Sequence, residues 1–275
     1  MRAPSNASAG FRPRLYHAPS SYYSMIARLA LAEGGMACES VFVDIHARLE
    51  QQHPDYVRLN PNMTVPTLAL PDRVLADSRD IAAYALGAEA AAPDEETRAW
   101  LEWHDALPIE ELTFGRLLAR NAVARVMIPK ALERARRNLL AQAARTPELA
   151  PLYAARAELF ARRIRTFDPD AAIGLARLRS AQAVELCERM QRALDDGRAT
   201  LAPAGYGLAD TVLTVFLARL ELVGLGEEAA SRPALARYWR AMRLRPSFAE
   251  ADIWTRFHAG RLIAGLLGFH RHRAA

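Results

Sequence analysis

The feature that most constrains this chain is a change in hydrophobic period near residue 90. Before it, apolar runs of strand length alternate with helical ones. Arg14 to His17 reads as a strand, and Pro19-Ser20-Ser21 leads into a helix with Met25, Ile26, Leu29 and Ala30 on neighbouring turns. Gly34-Gly35 ends that helix, and Val41 to Val43 is a second strand. His53 to Leu59 is a helix or turn leading into Asn60-Pro61. Val65 to Leu70 and Arg73 to Ala76 are strands joined at Pro71-Asp72, and Ser78 to Leu86 is a helix. The order β-α-β-α-β-β-α predicts an α/β unit with a mixed sheet over 13–86, preceded by a disordered tail over 1–12. Gly87 to Asp94 is a linker of small residues and proline.

From Glu95 onward (95–275) no segment reads as a strand. Helices are expected at 95–107, 109–126, 129–144, 148–165, 173–194, 209–223, 232–243 and 248–267, punctuated by Pro and Gly. Ala209 to Val223 is apolar nearly all round, which marks it as the buried central helix of an all-helical second domain.

Composition excludes several classes. The chain is 275 residues long, 51% hydrophobic and 24% charged, as soluble globular proteins are. No apolar run approaches the roughly 18 residues of a membrane span, so no membrane partner is expected. Cys38 and Cys187 are far apart and lack metal-type spacing. No metal site is expected, and that cysteine usage fits a reducing cytoplasm. Charge is uneven: between Arg116 and Arg165 twelve Arg/Lys face three Glu, a net of +9, which leaves −4 for the rest of a chain of net +5. Only Tyr153 and Phe160 fall among these arginines, with no regular aromatic interleaving, so the block reads as a solvated helical face and not as a nucleic-acid surface.

Three constellations carry chemistry. The first is Asn60-Pro61-Asn62-Met63-Thr64-Val65-Pro66-Thr67. A proline at a strand mouth cannot donate to the ladder, and a cis bond there leaves the Val65 amide and carbonyl free. They can then pair with an extended peptide as an added strand, although an ordinary edge-strand proline has the same sequence. The second is Asp77-Ser78 at a helix start, roughly 12 residues on. Helix amides and a hydroxyl there suit a carboxylate, and Asp77 suits an α-amino group; a plain N-cap is the simpler alternative. The third is Ser20-Ser21-Tyr22-Tyr23-Ser24, where hydroxyls at a helix start can stabilise a thiolate or merely cap and pack.

In order and spacing these motifs resemble the glutathione transferases. Gly207-Leu208-Ala209-Asp210 looks like the family's capping motif before its central helix, and Arg245-Pro246-Ser247-Phe248 like its closing motif. The resemblance covers about residues 14 to 252. It implies a thioredoxin-like domain followed by an all-α domain, with glutathione as co-substrate held by Thr64, Val65, Pro66, Asp77 and Ser78. Within the family the chain is similar to the zeta-like tetrachlorohydroquinone dehalogenase branch and to bacterial β-etherases. Ser24-Met25-x-x-Arg28-Leu29-Ala30, Pro54 to Asn60 and a long basic helical insert carry that likeness. Dehalogenases of that branch have a catalytic cysteine where this chain has Tyr23. The thiolate helper is then ranked Ser24, Tyr23, Ser21.

The resemblance implies conjugation or thiolysis of a hydrophobic, aromatic electrophile by a cytoplasmic detoxifying homodimer. Dehalogenase or β-etherase activity and a non-catalytic interaction role are the alternatives. Trp103, His104, Phe114, Arg116 and Arg120 fall on the two helices that wall the second-substrate pocket in the family, though interdomain packing explains each of them singly. His17 could line the thiol pocket, and His270 to Arg273 reads as an ordinary tail.

Overall fold

The computed structural model describes residues 12–88, 93–202 and 205–258. Strand β1 (Arg14–His17) pairs in parallel with β2 (Glu39–Phe42) and antiparallel with β3 (Thr67–Ala69), and β3 pairs antiparallel with β4 (Val74–Leu75). The order is β2-β1-β3-β4, a mixed sheet of thioredoxin type. Parallel strands need a crossover, and α1 (Tyr22–Glu33) supplies it. α1 and α3 (Ser78–Ala85) pack on the face that carries Leu15 and Leu68, while Tyr56 of α2 (Pro54–Leu59) packs on Tyr16 at the other face. A Cβ at Gly34 would collide with the Ala85 carbonyl, so glycine lets α1 and α3 close up at their C-terminal ends.

The second domain contains α4 (Glu95–Asp105), α5 (Ile109–Arg120), α6 (Ala122–Arg145), α7 (Ala150–Thr166) and α8 (Ala172–Leu194). They are followed by α9 (Leu208–Leu222), α10 (Glu227–Ala230), α11 (Pro233–Arg243) and α12 (Pro246–Glu250). α9 is buried on every side, as its sequence predicts. One apolar core runs unbroken from Leu15, Ile26 and Ile81 through Trp100 and Leu112 to Phe216 and Trp239.

Two helix boundaries differ from expectation. The break expected at 126–129 falls instead at Asn121, whose Oδ1 accepts from the Val123 and Ala124 amides at 2.9 and 3.1 Å. That N-cap restarts the helix, and Pro129 is carried inside α6. The helix expected from Phe248 to Leu267 gives way after Glu250, where the chain turns through a left-handed Asp252 (φ 50), and its 259–267 part lies outside the described residues. The tail at 1–11, part of the linker (89–92) and His270 to Arg273 lie outside the described residues.

The basic insert is the α6–α7 hairpin, and it does not float. Its buried Leu132, Leu139, Tyr153 and Phe160 pack with Leu49, Val57 and Met63 of the α/β unit. Tyr153 donates to the Gln52 carbonyl (3.0 Å), Asn138 to Gln52 Oε1 (2.8 Å), and Arg58 pairs with Glu148 (2.8 Å).

Two polar knots anchor the helices. Buried Asp210 accepts from the Leu201 amide (2.8 Å), the Gly207 amide (3.1 Å) and the Tyr238 hydroxyl (3.0 Å). Gly207 has no side chain to complete a two-way capping box, so the carboxylate alone secures the turn before α9. Glu33 at the end of α1 receives two 2.6 Å bonds from Arg245 and one from Ser247. Burial raises the Glu33 carboxyl, but those bonds outweigh it and hold it below the usual range. The Asp210→Ala substitution strands three buried donors. Urea denaturation should show a loss of about 3–5 kcal/mol; a loss under about 1 kcal/mol would mean that the knot does not anchor α9.

Candidate active site

Three chain segments meet at the front of the sheet. The first is the turn before β3. Asn60 is fully buried and donates to the Thr64 carbonyl (3.0 Å) and Thr67 Oγ1 (2.8 Å), while the Tyr56 hydroxyl donates to the same Thr64 carbonyl (2.6 Å). Burial pushes the Tyr56 hydroxyl up to about 12, which keeps it a neutral donor. These bonds consume Thr64 and leave its neighbour free. The Val65-Pro66 bond is cis, and the strand begins only at Thr67. Among the described residues neither the amide nor the carbonyl of Val65 has a hydrogen-bond partner.

The second segment is the start of α3. Asp77 caps it, with Oδ1 accepting from the Arg79 amide at 2.7 Å, and its side chain is exposed. Ser78 is buried, yet its hydroxyl has no partner among the described residues. Arg79 pairs with Asp105 and so ties α3 to α4.

The start of α1 is the third segment. Ser21 is the N-cap, and its Oγ accepts from the Ser24 amide (3.3 Å). Accepting in this way leaves its O–H proton for another acceptor. Ser24 is fully buried, and its Oγ accepts from the Ala18 amide (3.3 Å), which makes it an anchor for the β1–α1 loop. Tyr22 packs inward, its hydroxyl 2.7 Å from His104 Nε2. Tyr23 is 46% exposed and lies edge-on to Tyr22. Its hydroxyl is raised by desolvation, then by Glu110 and Asp77, with Arg79 and Arg219 opposing. Charges from both domains therefore converge on Tyr23, between the α1 and α3 starts and the helical domain.

The two buried histidines support this front. His104 is lowered to about 3 by burial and by Arg79, so it stays neutral, with Nδ1–H toward Asp105 (3.2 Å) and Nε2 accepting from Tyr22. His17 is lowered to about 3 by burial and by Arg28. Its Nδ1 accepts from Arg28 (3.2 Å), and its Nε2 lies 2.7 Å from Ser40 Oγ. Arg28 also donates to the carbonyls of Ala18, Pro19, Ala251 (2.7 Å) and Asp252 (3.1 Å). It thereby clamps the β1–α1 loop to the segment that follows α12.

This arrangement has relatives. Residues 15–94 match the model of the glutathione S-transferase N-terminal domain. The chain is 33% identical over 257 residues to the tetrachloro-p-hydroquinone reductive dehalogenase of Sphingobium chlorophenolicum, covering 90% of this chain and 98% of that one. The chain belongs to the glutathione transferase family. The glutathione S-transferase TCHQD of Arabidopsis thaliana is 29% identical over 251 residues, covering 86% and 88% of the two chains. Among solved structures, the β-etherase LigF of Sphingobium sp. strain SYK-6 superposes with a TM-score of 0.64 at 21% identity, covering 88% and 98%.

As a glutathione transferase the chain holds no thiol of its own at the α1 start among the described residues. Cys187 is buried in the helical core and its thiol is pushed up to about 12 by burial; Cys38 precedes β2 and is raised for the same reason. Of the aromatics and cations expected at a second-substrate pocket, only His104 touches the α1 start. Trp103 stacks under Arg189, Phe114 packs on Phe167, and Arg116 and Arg120 donate to carbonyls after α9. Among the described residues there is no metal-binding cluster, and no helix is long and apolar enough to cross a membrane.

His17 and His104 titrate far below the ordinary histidine value of 6.5, so the unfolded chain takes up protons that the folded chain refuses. Their stability contribution is complete above about pH 6.5 and is lost as pH falls toward about 3. Unfolding free energy should drop by about 1 kcal/mol per histidine for each pH unit below 6. Denaturation of wild type and His104→Asn between pH 7.5 and 4.5 checks this, since the variant should lose about half of the histidine-dependent slope.

Proposed function

We propose that this glutathione transferase binds glutathione as an added strand on Val65 and uses its thiolate against a hydrophobic, aromatic electrophile. The observation that carries the reading is the pair of vacancies in one frame: a Val65 amide and carbonyl with no chain partner, and a Ser78 hydroxyl that likewise has none among the described residues. The cysteinyl backbone of the tripeptide pairs with Val65, Thr64 and Pro66 shape the turn, and the γ-glutamyl carboxylate takes the Ser78 hydroxyl and the α3 amides. Asp77, exposed beside them, receives the α-amino group.

The sulfur then falls at the α1 start. Ser21 replaces Ser24 as first-ranked thiolate donor, because its O–H is not committed and Ser24 is fully buried against Ala18. Tyr23 ranks second as a neutral donor. In the reaction the thiolate forms a C–S bond to the electrophilic carbon while the leaving group departs with its electron pair, as halide or as aryloxide. Thiolysis of an ether is the second reading, supported by the likeness to a β-etherase and by Tyr23 in place of an enzyme cysteine. A mixed disulfide with the enzyme has no thiol to form on at this site among the described residues.

Calorimetric titration with glutathione tests the binding frame. Wild type should saturate, and Ser78→Ala should weaken binding by roughly tenfold, the value of a hydrogen bond to a charged group. Absence of saturable binding to wild type would sink the proposal. Ultraviolet absorbance of the bound thiolate separates the donors: Ser21→Ala should shift its appearance upward by about one pH unit, since one such bond is worth about 1.4 kcal/mol. Ser24→Ala should act through stability alone.

A further inference from the structure

Arg219 is a cation that the fold leaves unanswered. It sits on the buried helix α9, two turns or more from the Asp210 knot, and is 5% exposed. Among the described residues no carboxylate lies within ion-pair distance of it. Nη2 makes a stretched bond to the Ser20 carbonyl (3.5 Å), and Cζ lies 5.3 Å from the centre of the Tyr22 ring. Nε is buried with no partner, and no hydrogen bond is made by Nη1. Arg28, the arginine of α1, is by contrast answered by four carbonyls, and half-buried Arg245 by Glu33. One ring face and one long bond do not offset the desolvation of a full charge. Burial lowers the guanidinium only to about 10, so it remains cationic at neutral pH.

The position of this cation gives it a use. Ser20 and Tyr22 flank the Ser21 cap of α1, and the Tyr23 hydroxyl feels Arg219 together with Glu110, Asp77 and Arg79. Glu110 and Arg79 are engaged by Arg163 and Asp105, which leaves Arg219 as the cation of this group without an anion. A guanidinium with free N–H groups matches a planar carboxylate in shape and charge.

We propose that Arg219 is the anion-binding residue of the electrophile subsite, holding a carboxylate carried by the aromatic second substrate beside the α1 start. This inference rests on the glutathione-transfer reading of the cleft and narrows it to anionic electrophiles. Arg116 and Arg120, the cations expected for this task from sequence, are turned to the Val223 and Gly224 carbonyls instead.

The test compares wild type, Arg219→Met and Arg219→Lys on a neutral electrophile, 1-chloro-2,4-dinitrobenzene, and an anionic one, 4-chloro-3,5-dinitrobenzoate. In both, the C–S bond forms as chloride leaves. Arg219→Met should raise KM for the benzoate by roughly 10- to 100-fold with little change in kcat, and KM for the neutral compound by less than about threefold. Arg219→Lys should fall between. Thermal stability of Arg219→Met should equal or exceed wild type, since a buried unpaired charge is removed; a structural role would lower it. Parallel losses on both electrophiles, or loss of the bound-thiolate absorbance, would overturn the proposal in favour of a role in thiol activation. If wild type turns over neither compound while glutathione fails to bind, the transfer reading falls. Calorimetry with the dinitrobenzoate alone then decides Arg219: saturable binding lost in Arg219→Met supports it, and equal binding refutes it.

Discussion

Everything at the front of this molecule depends on α1 being buried from two sides. Its Met25, Ile26, Leu29 and Ala30 belong to the apolar core that also takes in α3 below and α9 behind. A helix held in this way cannot slide or tilt without opening that core, because protein interiors are packed to near-crystalline density. Its N-terminus is therefore a fixed point, and Ser21, Tyr22 and Tyr23 inherit their positions from it. Arg28, one helical turn further on, adds the polar half of the restraint by tying the incoming loop to the chain beyond α12.

Much of the architecture is legible in the sequence because it rests on local signals. The change of period near residue 90 separates the sheet from the helices, and apolar residues on nearly every side of 209–223 mark α9. The Val65-Pro66 and Asp77-Ser78 motifs are visible for the same reason: each is a short run whose chemistry needs only its own neighbours. What local pattern cannot convey is direction across the core. Ser24 and Ser21 look equivalent as a string, yet one faces Ala18 and the other caps the helix. Arg28 and Arg219 are charges set among apolar neighbours, a visible oddity whose meaning comes from partners some 200 residues away in one case and from the shortage of them in the other. The restart at Asn121 has a signal that was available, an Asn before a helical run, but Pro129 is the louder breaker and lies eight residues later.

The polar groups of the site divide by what the fold has already done with them. Asn60, Ser24, His17 and His104 are satisfied inside the chain and act as scaffolding. Val65, Ser78 and Arg219 are not, and the buried Arg219 guanidinium carries a desolvation cost with little internal return. Natural folds tolerate such costs where function requires them, so the pattern of incomplete bonding outlines the region where another molecule completes it.

The docking of the α6–α7 hairpin has a further consequence for how the chain exists as a unit. Leu49, Val57 and Met63 of the α/β half are covered by Leu139, Tyr153 and Phe160 of the helical half, on the side away from the shared core around α9. The smaller half is thus gripped from two directions by sequence that follows it. Cut free at the linker, it would present two apolar surfaces to water at once, a burden that disfavours the thioredoxin-like portion standing alone.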